Sequence, residues 1–457
     1  METNNLNRIK SYIKILDKYR NYISTISNTI DVNEDISLYF LSFVPVLISF
    51  ASYVIEDAKR RGIDRLYFLS RDGYQMYLIA KKIIEIKSLK IECRYLKVSR
   101  YSMRVPGYHF DIDKAIESMC TSGIDVTLLK ILKRGALSED ECNEVLRELS
   151  IDWDINRVLT YPEVCDLKEI LKNSEKLREY IYNHSKKAYD SAFGYLKQEG
   201  LLNENYALVD SGWVGTLQLS IEEMVRSKGD DIKVEGYYFG MYDYPNQIKH
   251  NRLLKSRFHT FYFSPVKGIK RKSRFSNSLF ESVVTSMEGM TVGYKEVCER
   301  FIPVEDVSNN SDKTIIGRCI DALKIFLDSL GEIPQFDKGD IEKILYLLMS
   351  SPSEFELKVF GNIPFSDDLV EKDKHYVAEN MSREMIRNQR VIRRFLIIKG
   401  FIKAQLKESA WIEGSAVRAY LEDISNPESS KRNIERELRH IRLCKGITHL
   451  RKQIKNL

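Results

Sequence analysis

Two short segments carry the residue types on which phosphate chemistry depends. Tyr206-Ala-Leu-Val-Asp-Ser-Gly-Trp-Val-Gly-Thr216 is an apolar run ending in an acid, then a glycine-containing loop closed by threonine. Leu66-Tyr-Phe-Leu-Ser-Arg-Asp-Gly73 is a second apolar run, ending in a polar turn with glycine. A helical pattern follows each, so both read as strand–loop–helix units. In a parallel α/β sheet, ligands sit at the carboxyl ends of strands, and helix N-termini there favour phosphate. Two such loops in one chain predict a substrate with two phosphate groups.

The side chains suggest roles. Asp210, at the end of its strand, can accept hydrogen bonds from sugar hydroxyls. Gly212 and Gly215 let backbone N–H groups approach a phosphate, and Thr216 with the helix start completes an anion cradle. The plainer alternative is a strand end followed by a threonine helix cap. Neither a Walker loop nor a dinucleotide-binding glycine fingerprint is present. In the earlier turn, Arg71 suits a phosphate oxygen and Asp72 suits a metal or a proton, the alternative being a salt-bridged turn. Lys97, Arg100 and Arg104 follow the next strand and are placed to close over a phosphorylated ligand, or else to decorate a solvated strand end. Glu281 is a candidate base on the acceptor side, or a buried structural acid. The seven histidines show no ligand spacing and no triad order.

Together these residues resemble a type I phosphoribosyltransferase. A closer similarity is to the glycan phosphoribosyltransferase domains of bacterial polysaccharide assembly. It rests on Phe68-Leu-Ser-Arg-Asp-Gly-Tyr74, the Ser99-Arg100 pair, Asp210-Ser-Gly-Trp-Val-Gly-Thr-Leu-Gln218, and Phe280-Glu281 followed by Gly289 and Gly293-Tyr294. It covers roughly residues 36–300. The resemblance implies transfer of 5-phosphoribosyl from phosphoribosyl diphosphate to a glycan hydroxyl, for O-antigen or capsule, with Mg²⁺ accompanying the diphosphate. It places the ribose hydroxyl on Asp210 and the 5-phosphate on Gly212, Gly215 and Thr216. Ser70, Arg71 and Gly73 would take the pyrophosphate. Asp72 would position metal or acceptor, with Glu281 as base. Lys97, Ser99, Arg100, Arg104, Ser211, Trp213 and Gln218 complete the expected binding set. The family usually has two adjacent acids before the phosphate loop; here the pair is Asp210-Ser211. Members are often fused to a haloacid dehalogenase-type phosphatase. The Asp-x-Asp nucleophile motif of that class is absent here, which predicts a separate phosphatase in the pathway. Two alternatives are a metal-dependent phosphohydrolase using Asp72 and a catalytically degenerate scaffold of polysaccharide assembly.

The elements that must position these residues follow from the rest of the chain. At 457 residues, 43% hydrophobic and 30% charged, it has the composition of a folded protein of two or three units. The expected class is α/β, a phosphoribosyltransferase-like parallel sheet with helices on both faces. The reading gives strands at Arg65–Leu69, 91–98, 204–210 and 232–241. Helices are expected at 45–61, 74–86 and 216–227. Residues 1–35 read as an N-terminal helical arm, 36–300 as the α/β domain with a helical insertion at 111–200, and 310–457 as a helical C-terminal region. Residues 245–295 read as aromatic, basic and irregular. The uncharged stretch Ile36–Ile55 is long enough to span a bilayer, but its serines and Pro45, taken as a first-turn residue, favour a buried helix.

Seven scattered cysteines with no Cys-x-x-Cys pair argue for a reducing compartment and against a zinc site. The expected location is the cytoplasm or the inner face of the cell membrane. The basic tail, 431–457, holds nine Lys/Arg against Glu435 and Glu437, so the rest of a chain of net charge +6 is close to neutral. Ile434, Leu438, Ile441 and Leu450 give that tail a loosely amphipathic face. Its expected partner is an anionic membrane surface bearing a lipid-linked oligosaccharide, the alternative being a terminal helix packed on its own domain. No aromatic platform accompanies the tail, so nucleic acid is not expected.

Overall fold

A computed structural model describes residues 2–29, 33–121, 123, 125–203, 205–226, 233–306, 314–365, 375–404, 406–421 and 427–456. Glu204, Ser227, Ile232, Gln405 and Leu457, which bound or belong to expected elements, lie outside the described residues. The centre is a five-stranded sheet of β1 (Arg65–Leu69), β2 (Glu92–Leu96), β3 (Tyr206–Trp213), β4 (Glu235–Met241) and β5 (Phe258–Phe263). Its order is β2-β1-β3-β4-β5 and every pairing is parallel.

The strands alternate between two cores, as period-two side chains must when both faces are covered. Leu66 and Phe68 of β1, with Ala207 and Val209 of β3, join the larger core. Tyr67, Leu69, Tyr206 and Leu208 join the core on the opposite face.

Three helices precede the sheet: α1 (Glu2–Leu16), α2 (Arg20–Thr29) and α3 (Glu34–Arg61). Helix α4 (Gly73–Ile86) links β1 to β2 and packs with α3 on the larger core. Pro45 is not in the first turn, as the sequence suggested. It lies inside α3, which is capped by Asn33 and ends at Gly62 in the left-handed conformation. Two of the α3 serines return their hydroxyls to the helix, Ser42 to the Leu38 carbonyl and Ser49 to the Pro45 carbonyl. That satisfies them in an apolar setting. Among the described residues, α3 is the one helix long and apolar enough to cross a membrane, and 89% of its most apolar window is buried within the protein.

Between β2 and β3 lie α5 (Arg100–Arg104), α6 (Ile112–Met119), α7 (Leu128–Arg134), α8 (Glu139–Glu148), α9 (Tyr161–Lys172) and α10 (Glu175–Gln198). They enclose a core of their own, built around Ile116, Leu128, Val145 and Ile181. Helix α11 (Thr216–Arg226) links β3 to β4, and α12 (Arg252–Lys255) precedes β5. The stretch 245–295 is more regular than its composition suggested. It contains β5, α13 (Ile269–Lys272), α14 (Asn277–Val284) and most of β6 (Thr291–Val297), which pairs antiparallel with β7 (Arg300–Glu305).

The C-terminal helices are α15 (Thr314–Ser329), α16 (Lys338–Leu345), α17 (Glu354–Phe360), α18 (Arg383–Asn388), α19 (Val391–Ile398), α20 (Ile412–Leu421) and α21 (Pro427–Asn456). All of them but α19 contribute to or pack on the larger core, which they share with α1 and α3. Glu356 of α17 is fully buried and receives Arg8 Nε at 2.5 Å and the Tyr12 hydroxyl at 2.7 Å. The apolar face expected to meet lipid on the tail is largely occupied. Leu438 and Ile441 are buried and Ile434 packs on the same core, while Leu450 stays exposed. Arg390 pairs with Glu437, and Lys445 with Glu413 at 2.7 Å, fixing α21 along the domain.

Candidate active site

The order β2-β1-β3 puts a topological switch point between β1 and β3, because the chain leaves these neighbours in opposite directions along the sheet. Crevices at such points receive ligands. The two segments singled out in the sequence end there side by side. Ser211 donates its hydroxyl to Asp72 Oδ2, joining the two strand ends directly. Strand β3 does not stop at Asp210. It continues through Ser211 and Gly212 to Trp213, pairing Gly212 with Gly240 and Trp213 with Met241 of β4. The loop before α11 is therefore short, with Val214 and Gly215 alone between strand and helix.

The turn after β1 is held by backbone contacts. The Ser70 hydroxyl donates to the Val98 carbonyl at 2.7 Å and accepts from Val98 N at 3.0 Å. The Arg71 carbonyl accepts from Ser286 N at 3.1 Å. Asp72 and Gly73 start α4. Ser99 caps α5 in a capping box and donates to the Thr291 carbonyl at 2.6 Å. The cap aims Arg100 and Arg104 toward the crevice. The Arg71 and Arg100 guanidiniums make no hydrogen bond or ion pair with a described residue, yet both bear electrostatically on Asp72 and Glu281. Arg104 donates to Thr216 Oγ1 at 2.8 Å, at the first residue of α11.

Glu281 arrives from α14. Trp213 Nε1 donates to its Oε1 at 2.6 Å. Gln75 of α4 anchors the end of α14 by donating to the Val283 carbonyl at 2.8 Å and the Thr285 carbonyl at 3.1 Å. Asp72, Asp210 and Glu281 form a half-buried carboxyl cluster. Burial pushes Glu281 up to about 7, with the Asp72 charge adding to the shift and Arg100 opposing it. Asp210 is raised well above the carboxylate range by burial, then by Asp72 and Glu281. Asp72 is raised by burial against the pull of the Ser211 hydroxyl, Arg71 and Arg100. Like charges crowded in a recess hold protons, so the cluster can exchange one near neutral pH.

Besides Ser70 and Ser99, whose hydroxyls serve the backbone, two further expected binding residues are engaged elsewhere. Gln218 is fully buried, donates to the Val234 carbonyl at 2.7 Å and accepts from the Tyr238 hydroxyl at 2.7 Å. Its amide secures α11 to the sheet. Lys97 is neutralised by Glu305 at 2.7 Å and Glu288 at 3.0 Å. Those acids belong to the β6–β7 region, which the sequence reading did not resolve.

Beside Arg104 and Thr216 opens a cleft of about 1140 Å³. It is lined by Lys114 and Glu117 of the helical insertion, by Tyr242, Asn277 and Ser278, and by a C-terminal wall including Gln389, Lys445 and His449. Asn277 and Glu281 lie four residues apart on α14 and so share a face, Asn277 lining the cleft and Glu281 belonging to the carboxyl cluster. His449 stacks on Tyr242 with ring centroids 4.9 Å apart, and burial followed by Lys445, Lys272 and Lys452 pushes it down to about 3, so it is neutral. The sequence held no signal for this wall, because it is assembled from segments far apart in the chain.

Among the described residues, no group of three or more His, Cys, Asp or Glu side chains is arranged to hold a metal ion. Mg²⁺ bound with a diphosphate draws most of its ligands from phosphate and water and needs one or two carboxylates. Asp72 and Asp210 fit that smaller requirement. Searches against protein-family models and curated proteins return no match to this chain.

Proposed function

We infer that this protein transfers 5-phosphoribosyl from phosphoribosyl diphosphate to a hydroxyl of a glycan, releasing pyrophosphate. The observation that carries the reading is the convergence of two separate anion-binding features on one carboxyl cluster at the β1–β3 crevice. One is the Arg104–Thr216 pair at the start of α11. The other is the turn after β1, where Arg71 and Arg100 have no hydrogen bond or ion pair from their guanidiniums to a described residue.

On this reading the 5-phosphate lies on Thr216, the Gly215 backbone and Arg104. The diphosphate lies between Arg71 and Arg100 on the turn Ser70–Gly73. Mg²⁺ would supply charge neutralisation to the leaving diphosphate, held by Asp72 or Asp210. The acceptor enters through the adjoining cleft. Its O–H bond breaks as the proton passes to Glu281, and its oxygen bonds to the anomeric carbon. The bond from that carbon to pyrophosphate breaks with the electron pair leaving on pyrophosphate. An oxocarbenium-like transition state is expected, as in glycosyl transfer generally. Asp210 would hold a ribose hydroxyl, the one acid here where the family usually has two.

The test measures pyrophosphate release from phosphoribosyl diphosphate with Mg²⁺, with and without a membrane glycolipid extract, alongside donor binding by calorimetry. Acceptor-dependent release that is lost in Asp210→Asn supports the transferase. Donor binding without release favours the scaffold alternative. Hydrolysis of a simple phosphomonoester, abolished in Asp72→Asn, would favour the phosphohydrolase and remove this reading.

A further inference from the structure

Helix α19 has no buried residue. Ile392, Phe395 and Ile398 recur at three-residue spacing on one side of it and are 75%, 52% and 65% exposed. Phe401, 76% exposed, follows the helix end. It is held there by a Schellman turn: Gly400 adopts φ +76°, its N–H donates to the Ile397 carbonyl at 2.9 Å, and Phe401 N donates to the Leu396 carbonyl at 2.9 Å. Four large apolar side chains are thus displayed together on a fixed element, which in a soluble protein marks an interaction surface.

The charges around this face identify its occupant. From Met385 to Lys407 the chain has seven Lys/Arg and no acid. Arg390, Arg393, Arg394 and Lys407 are paired with Glu437, Glu384, Glu408 and Glu379. Arg387, Lys399 and Lys403 are exposed and have no ion pair with a described residue. Protein interfaces are depleted in lysine, whereas an anionic bilayer rewards apolar side chains flanked by free cations. We propose that α19 and its Schellman turn form a lipid-docking element. Ile392, Phe395, Ile398 and Phe401 enter the headgroup region of an anionic membrane, while Arg387, Lys399 and Lys403 meet lipid phosphates.

The placement has a consequence for access. Arg394 of α19 and the adjoining Gln389 line the cleft next to Arg104 and Thr216. Docking through the exposed face therefore brings the cleft to the lipid surface. The role the sequence gave to the tail passes to α19, because the tail's own apolar face is largely packed inside.

The experiment is co-sedimentation of the full chain with phosphatidylglycerol–phosphatidylcholine vesicles against pure phosphatidylcholine vesicles. Wild type is compared with Phe395→Ser/Ile398→Ser/Phe401→Ser and with Lys399→Glu/Lys403→Glu. Circular dichroism and light scattering are recorded on each protein. Wild type is expected to bind the anionic vesicles, more weakly as salt rises, and each variant to lose roughly tenfold or more of that binding with its circular dichroism unchanged. Absence of wild-type binding, or variants that bind equally well, overturns the proposal. So does a wild-type dimer that the triple serine variant converts to monomer, which would assign the face to a second copy of the chain. None of these readouts depends on phosphoribosyl transfer, so the two proposals fail separately.

Discussion

The indole N–H of Trp213 donates to Glu281 across 2.6 Å, tying the end of β3 to a helix 68 residues further along the chain. The bond favours the ionised carboxyl and so opposes burial and the Asp72 charge, which together leave Glu281 at about 7. Trp213→Phe keeps an aromatic ring among Phe263, Phe275 and Phe280 but deletes the donor. A base must be ionised to act, so the acid limb of the pH–rate profile for acceptor-dependent pyrophosphate release should move up by about one unit. Activity in the variant then falls more below neutral pH than in mild alkali. An unmoved limb would show that Glu281 is not the base.

The same shift links Glu281 to stability. Its folded pKa of about 7 lies above the roughly 4.3 expected of an unfolded glutamate. Between those values the native state holds more protons than the unfolded chain, so the Glu281 contribution makes stability fall as pH rises. Glu281→Gln removes that contribution. Denaturant titrations should show the variant gaining on wild type as pH increases, with a difference of about 1–3 kcal/mol once the pH exceeds the folded value. Acceptor-dependent release should drop by roughly a hundredfold or more. A variant that tracks wild type at every pH would mean the carboxyl is not held in its raised state.

Thr216 and Arg104 are expected to act together. Thr216→Val preserves volume but removes the hydroxyl that accepts from Arg104 at 2.8 Å and, on the proposed reading, would leave the 5-phosphate one donor short. Calorimetry should show donor affinity reduced about tenfold, with Thr216→Ser close to wild type. If Thr216→Val and Arg104→Ala weaken binding independently, with additive free energies, the two side chains do not share a ligand group.

The legible parts of the fold were those written locally. β1 was found with its bounds because an apolar run meets Ser-Arg-Asp-Gly. Asp72, Arg100 and Asp210 were legible as polar residues at the ends of apolar runs, whereas Glu281, in a polar stretch far along the chain, joined them only through the family resemblance. Strand β3 was cut short because Ser211-Gly212 reads as a turn, whereas the parallel partner Gly240-Met241 continues the pairing. The β6–β7 hairpin was missed because its turn residues, Cys298 and Glu299, adopt φ +50° and +61° without the Asn-Gly or Asp-Gly that signals such a turn. The tail's apolar face was visible and packing on its own domain was one of its two readings, but the residues it packs on could not be named, since they lie elsewhere in the chain.

Gly212 offers the most direct test of how β3 is built. Its φ is +135°, and a Cβ placed there would lie 1.9 Å from the Gly240 carbonyl oxygen, a backbone atom of the neighbouring strand. No side-chain rotation relieves that contact, so β3 and β4 must separate where Ser211 reaches Asp72 and Trp213 reaches Glu281. Gly212→Ala should therefore destabilise the protein by about 3 kcal/mol or more by chemical denaturation. Any folded fraction should lose donor binding, because both contacts depend on the strand's position. Gly293→Ala is the control, since a Cβ at Gly293 meets nothing within 4 Å. Equal effects at the two glycines would mean that the approach of Gly212 to Gly240 is not what holds the crevice in shape.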